Sequence, residues 1–448
     1  MKGFWIPSNA TLNVMDTIAS AIDRARSTLS DLYEQIDRLT QINLRKVLQA
    51  FRDHRVGVHH FGSMTGYGHG DLGREVLDQV FAQVMEAEAA AVRVQFVSGT
   101  HAIASCLYGV LRPGDELLAV AGAPYDTLEE VIGLREPGQG SLQEFGVTYR
   151  ELSLTPQGTI DWDTLDTAIQ PNTRMVLIQR SCGYAWRSSL AIEEIERIVQ
   201  SVKRQNPETV CFVDNCYGEF VSDREPTAVG ADLMAGSLIK NPGGTIVAAG
   251  GYVAGRQEWV EKALCRLTAP GIGGSGGATF DQNRLLFQGL FLAPQMVGET
   301  LKGNHLVAQV MSDLGYPVNP LPRSPRRDTI QAIQLGSPAK IKAFCRAIQT
   351  YSPIGSYLDP VPAAMPGYES ELVMAGGTFI DGSTSEFSAD GPLREPYVVF
   401  CQGGTHWTHV AIALEAAVAA LKEGCQRVDT TSSNVADRNW KVQLNTKL

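Results

Sequence analysis

The chain has 448 residues, of which 44% are hydrophobic and 19% are charged, and its formal net charge at pH 7 is -10. This length is enough for two or three domains around a large buried core. The acidic balance argues against a broad binding surface for nucleic acid or an anionic membrane. No apolar run approaches the roughly 20 residues of a membrane span, and the first residues lack the apolar stretch of a signal peptide. We therefore expect a cytoplasmic protein that binds neither nucleic acid nor membrane.

The cysteines and histidines do not indicate a metal site. The eight cysteines are scattered and form no Cys-x-x-Cys pair, which is typical of reduced and mostly buried thiols. His59 and His60 are adjacent, and His406 precedes His409 by three positions, but neither pair has the Cys or Glu spacing of a zinc site. We expect these histidines to have structural or substrate-contacting roles, with no metal bound.

The first 60 residues carry an apolar stripe with the spacing of a helix that buries one face. Its members are Ile18, Ile22, Leu29, Leu32, Ile36 and Leu39. The stripe predicts a helical N-terminal arm over residues 1–60. Such an arm packs either on a neighbouring subunit or on the small domain of its own chain.

From about residue 80, short apolar runs alternate with helix-like segments such as 192–205. The strand candidates are 94–97, 117–121, 175–178, 210–213 and 233–239. This alternation predicts an α/β fold, with a mostly parallel sheet and helices on both faces, in a large domain over residues 61–325. A second alternation follows a stretch rich in Pro and Arg. It predicts a smaller α+β domain over residues 326–425, and the polar tail over 426–448 is typical of a loosely ordered segment.

Two motifs directly after predicted strands suit a phosphorylated, planar ligand, because ligands collect at the carboxyl ends of parallel strands. The motif Ser98-Gly-Thr-His opens a helix-like run, and amides at a helix N-terminus bind phosphate. An N-capped helix without a ligand is the alternative. Tyr125 follows the run 117–121 and could stack on a heterocycle, with core packing as its alternative.

Lys240 and Asp214 are the most informative pair. Lys240 follows an apolar run and precedes Asn-Pro-Gly-Gly, and Asp214 ends an earlier apolar run. Pyridoxal phosphate (PLP) requires an amine for its aldehyde and a carboxylate that keeps its ring nitrogen protonated. The pair therefore predicts a PLP site, in which the Ser237 hydroxyl could reach the phosphate. A turn-forming Asp and a solvated surface Lys are the bland alternatives.

Two other functions fit parts of this sequence less well. Ser-x-x-Lys also occurs in acyl-serine enzymes that recognise penicillin, but the partner motifs Lys-Thr-Gly and Ser-Asp-Asn are absent from the sequence. The run 271–276 formally matches the dinucleotide fingerprint, but no convincing strand precedes it. We interpret it as a mobile loop near the active site.

Four segments together resemble one known family. They are 96–102, 179–184, the Asp-Asn-Cys-Tyr-Gly-Glu run at 214–219 and the lysine motif at 236–244. They resemble the methionine gamma-lyase-like family, also labelled aluminium-resistance proteins, over about residues 58–421. This family belongs to the fold-type I PLP enzymes.

The resemblance implies a role for each motif residue. Lys240 would bind PLP covalently, Asp214 would contact the pyridine nitrogen and Tyr125 would stack on the ring. The phosphate would lie against the helix start and the Ser237 hydroxyl. The full set of implied cofactor-binding residues is Ser98, Gly99, Thr100, His101, Tyr125, Asp214, Ser237 and Lys240.

The resemblance also implies contacts that depend on less complete matches. A Tyr-x-Arg segment of the neighbouring subunit clamps the phosphate in the wider lyase branch. The nearest match here, Tyr67-Gly-His, lacks the arginine. Arg394 is the candidate for the substrate carboxylate, since a guanidinium fork fits a carboxylate well. Arg180 and Arg187 are its rivals.

The implied activity is a PLP-dependent carbon–sulfur lyase that eliminates a thiol, by β- or γ-elimination, from an amino acid. Lys240 would act as the base, and Tyr125 or Tyr67 would protonate the leaving sulfur. The implied assembly is a homo-oligomer, at least a dimer and by analogy a tetramer. Aldol cleavage, transamination or decarboxylation on the same fold, and a non-catalytic PLP-binding protein, remain open alternatives.

Overall fold

The computed structural model describes residues 9–135, 140–365 and 368–428, so most of the tail predicted over 426–448 lies outside the described residues. The α-helices in the described part are α1 (Asn9–Thr28), α2 (Ser30–Asp53), α3 (Leu72–Val84), α4 (Gly99–Val110), α5 (Asp126–Ile132), α6 (Trp162–Leu165), α7 (Ile192–Gln205), α8 (Gln257–Leu267), α9 (Asn283–Asp313), α10 (Pro338–Thr350) and α11 (Trp407–Val428). Within this part, no helix has the length and apolar character needed to cross a membrane.

The strands form a larger and a smaller sheet. The larger sheet contains β1 (Ala89–Arg93), β2 (Glu116–Ala119), β3 (Thr148–Glu151), β4 (Thr173–Gln179), β5 (Val210–Asp214), β6 (Leu233–Ser237) and β7 (Gly251–Gly255). The smaller sheet contains β8 (Val318–Asn319), β9 (Ile330–Gln334), β10 (Leu372–Ala375), β11 (Ser388–Pro392) and β12 (Val398–Gln402).

The larger sheet has the order β3-β2-β4-β5-β6-β7-β1. Strands β3, β2, β4, β5 and β6 pair in parallel, whereas β7 is antiparallel to both of its neighbours. Both faces are covered. Val213 packs in the core that contains α7, and Phe212 packs in the core that contains α4 and α8. Burial on both faces explains why these strands are continuous apolar runs, and the predicted fold class is confirmed.

One strand prediction was wrong, and one strand was missed. Residues 94–97 form a turn that leads towards α4, and the strand is the preceding β1. Strand β7 begins and ends with glycine and was not predicted. These two segments, rich in Ala and Gly, pair with each other from Ala89 with Gly255 to Arg93 with Gly251. Strand formation there depends on cross-strand partners more than on the intrinsic propensity of the residues.

The smaller sheet is antiparallel, with the order β10-β11-β12-β9-β8. Helices α10 and α11 cover one face, where Ala389 and Val399 are buried. Ile18 on α1 joins this core, whereas Val47 on α2 joins the core of the larger sheet. The helical arm is therefore shared between the two units, and the domain boundaries predicted from the sequence stay a prediction.

A substitution at Gly73 tests the close packing of the start of α3 against its neighbours. A Cβ atom at Gly73 would lie 2.1 Å from the His60 carbonyl oxygen and 2.4 Å from the Asn283 side-chain nitrogen. We expect Gly73→Ala to lower the free energy of unfolding by about 1–3 kcal/mol, because the added methyl group forces the helix away. At the matched control position, Gly62, the nearest atom to a Cβ atom would be 3.6 Å away. Equal thermal stability of Gly73→Ala and Gly62→Ala would contradict the packing.

Candidate active site

The carboxyl ends of three neighbouring parallel strands meet beside one cavity. Gln179 ends β4, Asp214 ends β5 and Ser237 ends β6. Lys240 follows β6 by three residues, and the start of α4 at Gly99 lies against the same edge. All five residues line a cavity of about 560 Å³.

The Lys240 amine lies over an aromatic ring. Its Nζ atom is 3.8 Å from the centre of the Tyr217 ring. The backbone after Lys240 turns sharply, with Gly244 in the left-handed region. Burial lowers the pKa of Lys240, but the neighbouring Tyr217, Cys216 and Asp214 together raise it by more, so the net shift of the pKa is upward. In the protein without a ligand the amine therefore holds its proton.

The Asp214 carboxylate is buried and has few compensating partners. It accepts a hydrogen bond from the Cys216 amide at 3.1 Å. Burial raises the pKa of Asp214, and the Cys216 amide and Lys240 partly offset the rise. A cation placed in contact with this carboxylate would favour its ionised form, so a protonated ring nitrogen is a suitable partner.

The start of α4 forms another part of the cavity. Ser98 caps the helix, because its hydroxyl accepts a hydrogen bond from the His101 amide at 3.2 Å. The amides of Gly99 and Thr100 occupy the first helical positions and have no acceptor within the helix, which suits an anion. A Cβ atom at Gly99 would lie 3.0 Å from the Ser237 Cβ atom. Glycine therefore lets the helix start approach the end of β6.

Tyr125 is held between the helix start and the end of β4. Its hydroxyl lies 3.1 Å from the Thr100 hydroxyl, and its amide donates to the Gln179 side-chain oxygen at 2.9 Å. Burial, followed by the nearby Asp214, raises the pKa of Tyr125. The phenol is therefore neutral, and its ring lines the cavity.

These groups fit the parts of PLP. The free amides of α4 and the Ser237 hydroxyl suit the phosphate, the Asp214 carboxylate suits the protonated pyridine nitrogen, and the Lys240 amine suits the aldehyde. The close approach of Gly99 to Ser237 brings the phosphate-binding groups together. The fold and this donor set define a fold-type I, PLP-dependent enzyme.

Comparison with known proteins identifies the family. The methionine gamma-lyase family pattern matches residues 18–422. YnbB, an uncharacterised Bacillus subtilis protein, is 46% identical over 414 residues, which cover 92% of this chain and 98% of YnbB. The chain belongs to the methionine gamma-lyase family, which is a PLP-dependent family and indicates a carbon–sulfur lyase. The predictions of family and cofactor are confirmed.

Solved structures show the same fold at high identity. A Clostridium novyi NT carbon-sulfur lyase involved in aluminium resistance is 42% identical, with a TM-score of 0.86, and the match covers 92% of this chain and 99% of that one. A Listeria innocua protein, provisionally named a cystathionine beta-lyase involved in aluminium resistance, is 46% identical with a TM-score of 0.87. That match covers 89% of this chain and 98% of the other.

Besides two of the candidate arginines, two residues predicted at the site, His101 and Tyr67, do not line the cavity of their own chain. The His101 ring accepts a hydrogen bond from the Val97 amide at 3.1 Å and packs edge-on against Phe96. Burial lowers the pKa of His101, so the ring is neutral. Tyr67 is 83% exposed, and its ring stacks on His69. The Tyr67 backbone carbonyl accepts a hydrogen bond from the Gly277 amide.

The three candidate arginines differ in position. Arg180 is buried and donates to the Asn215 side chain at 2.8 Å, with Glu225 at 3.7 Å. Arg187 is buried and donates to backbone carbonyls, including that of Gln179 at 3.0 Å. Arg394 is exposed and lines the cavity. Of the three, only Arg394 is placed to meet a ligand in the cavity.

The sequence reasoning missed several cavity residues. Cys216 and Tyr217 belong to the motif at 214–219, and Gln179 and Tyr184 belong to the motif at 179–184. Their signal was their position, directly at or after the ends of β5 and β4. Gln402, at the end of β12, comes from the smaller sheet, and only the tertiary structure brings it here.

Glu219 is a buried acid beneath the cavity that braces the lysine loop. Its carboxyl accepts a hydrogen bond from the Tyr252 hydroxyl at 2.8 Å, and its backbone carbonyl accepts from the Asn241 side chain at 3.0 Å. The second carboxyl oxygen has no partner among the described residues. Burial raises the pKa of Glu219 to about 8, so the folded protein keeps this carboxyl protonated.

The raised pKa of Glu219 determines the direction in which the stability of the protein changes with pH. An unfolded chain loses the Glu219 proton near the usual glutamate pKa, whereas the folded protein keeps it until about pH 8. The folded state therefore binds more protons in this window, and its stability falls as pH rises. We expect Glu219→Gln to remove this contribution, so that its melting temperature falls less between about pH 5 and about pH 8 than that of the wild type. If the melting temperatures of the two proteins fell by the same amount over this pH range, the assignment would be contradicted.

Proposed function

We propose that this protein eliminates a thiol from a sulfur-containing amino acid, by β- or γ-elimination. The observation that carries the proposal is the single cavity shared by the Lys240 amine, the Asp214 carboxylate and the free amides of α4. Membership of a carbon–sulfur lyase family supports the reaction. The small-molecule substrate is an amino acid, because its α-amino group must replace Lys240.

Lys240 has two tasks in this reaction. It holds the cofactor through Nζ, and its freed amine then takes the proton from the substrate Cα. The bound cofactor supplies an electron sink for the charge left on that carbon. Burial lowers the pKa of Lys240, but Tyr217, Cys216 and Asp214 hold it above its usual range in the protein without a ligand. Positive charge on a bound cofactor would lower that pKa and so make the amine available as a base.

The remaining residues bind and orient. The Asp214 carboxylate would keep a proton on the ring nitrogen of the cofactor. The Tyr125 ring would stack on the cofactor ring, while its hydroxyl shares a hydrogen bond with Thr100. Arg394 lines the same cavity and binds the substrate carboxylate through its guanidinium fork.

We further propose that the working unit is a homo-oligomer, at least a dimer and by analogy with the family a tetramer. Tyr67 is 83% exposed and does not line its own cavity, which suits a residue that completes the phosphate site of a neighbouring subunit. The cysteines whose side chains the structure describes are all free, as expected in a reducing compartment. We place the protein in the cytoplasm.

Lys240→Ala tests the covalent attachment. We expect the purified wild type to absorb visible light and to keep its cofactor on Lys240 after borohydride reduction, as found by peptide mass. Lys240→Ala should lose this label and release thiol at least about 10³-fold more slowly, because both the attachment and the base are removed. A panel of sulfur amino acids, assayed for thiol and oxo acid, identifies the substrate. Amine or aldehyde products, or no turnover with cofactor bound, would contradict the proposed elimination.

Mixed dimers test the shared site. Tyr67→Phe and Lys240→Ala should each be impaired alone, and their mixture after subunit exchange should recover up to about a quarter of wild-type activity, since half of the dimers contain one native site of two. Tyr125→Phe mixed with Lys240→Ala is the matched control, because Tyr125 lines its own cavity and no native site forms. Recovery in the control, or none in the test pair, would contradict the role of Tyr67.

A further inference from the structure

One face of the smaller sheet borders the active-site cavity. Residues opposite each other in antiparallel strands point to the same face, and so do residues two positions apart. Asp390 on β11 is opposite Phe400 on β12, and Gln402 lies two positions beyond Phe400. Phe400 and Gln402 line the cavity. Ala389 and Cys401, on the opposite face, pack in the helix-covered core.

Asp390 is a buried acid on this face, directly behind two cavity residues. The Tyr184 hydroxyl lies 3.1 Å from Asp390 Oδ2, and the Gln402 side-chain nitrogen donates to the same oxygen at 2.7 Å. Tyr184 and Gln402 line the cavity, whereas Asp390 lies behind them. A buried acid is unfavourable for stability unless its surroundings compensate it, and its position behind two cavity residues points to a functional reason for it.

The state of Asp390 near neutral pH follows from its surroundings. Burial raises the pKa of Asp390 to about 7, while Tyr184, Gln402 and the charge on Lys240 partly counter the rise. Asp390 interacts electrostatically with Tyr184, Tyr217, Tyr368 and Lys240, and with Cys345 and Cys401 in the core on the other face of the sheet. Lys240 is the cation of this set. Asp390 can therefore hold or release a proton at working pH.

The family resemblance implied Tyr125 or Tyr67 as the proton donor for the leaving sulfur. The Tyr125 hydroxyl already shares a hydrogen bond with Thr100, and Tyr67 does not line its own cavity. Tyr184 is a further phenol of the cavity. Tyr184 and Tyr125 both line the cavity, and a Cβ atom at the residue before Tyr184, Gly183, would lie 3.8 Å from the Tyr125 Cβ atom.

We infer that Tyr184 donates the proton to the leaving sulfur and that Asp390 is the positioning residue that replaces this proton. As the carbon–sulfur bond breaks, both electrons go to sulfur, which takes the Tyr184 hydroxyl proton. The Asp390 carboxyl proton then moves to the Tyr184 oxygen, Gln402 donates to the carboxylate that forms, and solvent water later returns a proton. This inference rests on the proposed thiol elimination and adds its acid.

The acid strengths favour this relay over a lone phenol. Burial, and then the nearby Asp390, raises the pKa of Tyr184 well above its ordinary value, so the phenol by itself is a weak acid. A carboxyl with a pKa of about 7 is a stronger acid than a thiol, whose ordinary pKa is about 8.5. Proton transfer from Asp390 through Tyr184 to sulfur is therefore downhill.

The test compares two leaving groups. An S-alkyl cysteine must gain a proton on sulfur, whereas β-chloroalanine loses chloride, which needs none. We expect Tyr184→Phe and Asp390→Asn to slow thiol release by about 10²-fold and to change chloride release by less than about 3-fold. The fall of thiol release above about pH 7 in the wild type should be absent in Asp390→Asn. Equal loss with both substrates, or no loss with either, would overturn the inference.

A matched control and a measurement without turnover complete the test. The Tyr368 ring packs against Tyr184 at 5.8 Å between centres, so Tyr368→Phe should change both rates by the same factor. In the protein without cofactor, an infrared band of a protonated carboxyl should vanish as pH rises through about 7 and be missing in Asp390→Asn. Its absence from the wild type would overturn the relay. A wild type that releases neither thiol nor chloride would instead refute the proposed function, and the inference with it.

Discussion

The burial of Lys240 and Asp214 beside one cavity is the constraint on which the rest of the structure depends. Charged groups removed from water are costly unless they are paired. Burial raises the pKa of Asp214, and the neighbours of Lys240 keep its pKa high against the effect of burial. Parallel pairing of β5 with β6 places the two residues at the same sheet edge. PLP would relieve this cost, because the Asp214 carboxylate would pair with its cationic ring nitrogen and the Lys240 amine would bind its aldehyde.

The same edge also explains the glycines and the strained backbone around the site. Gly99 brings the first amides of α4 against Ser237, where an added Cβ atom would lie only 3.0 Å from the Ser237 Cβ atom. Tyr217 has a φ of 69°, a left-handed conformation that favours glycine and is costly for other residues. This conformation accompanies the contact of the Tyr217 ring with the Lys240 amine. The backbone conformation at the strand ends thus positions the side chains that line the site.

Much of the fold was predictable because it depends on local pattern. The helix over 192–205 and the strand over 210–213 have strong periodicity or uninterrupted apolar burial, and the structure has them as α7 and β5. The segment 94–97 was wrongly predicted as a strand, because apolar residues also line turns that lead into helices. The glycine-bounded β7 was missed, since its pairing with β1 and β6 is non-local.

The sequence by itself determined the family, the cofactor and the residues at the ends of the large-sheet strands. These features lie in short contiguous motifs, which can be recognised without knowing the tertiary structure. Tertiary structure alone decided which of the three arginines faces the cavity. In the folded protein Arg180 and Arg187 are buried and donate hydrogen bonds within the protein. Asp390 and Gln402 come to the site from a second sheet. The physical reason is that side-chain direction and burial depend on packing between segments far apart in the chain, and residue type alone does not encode them.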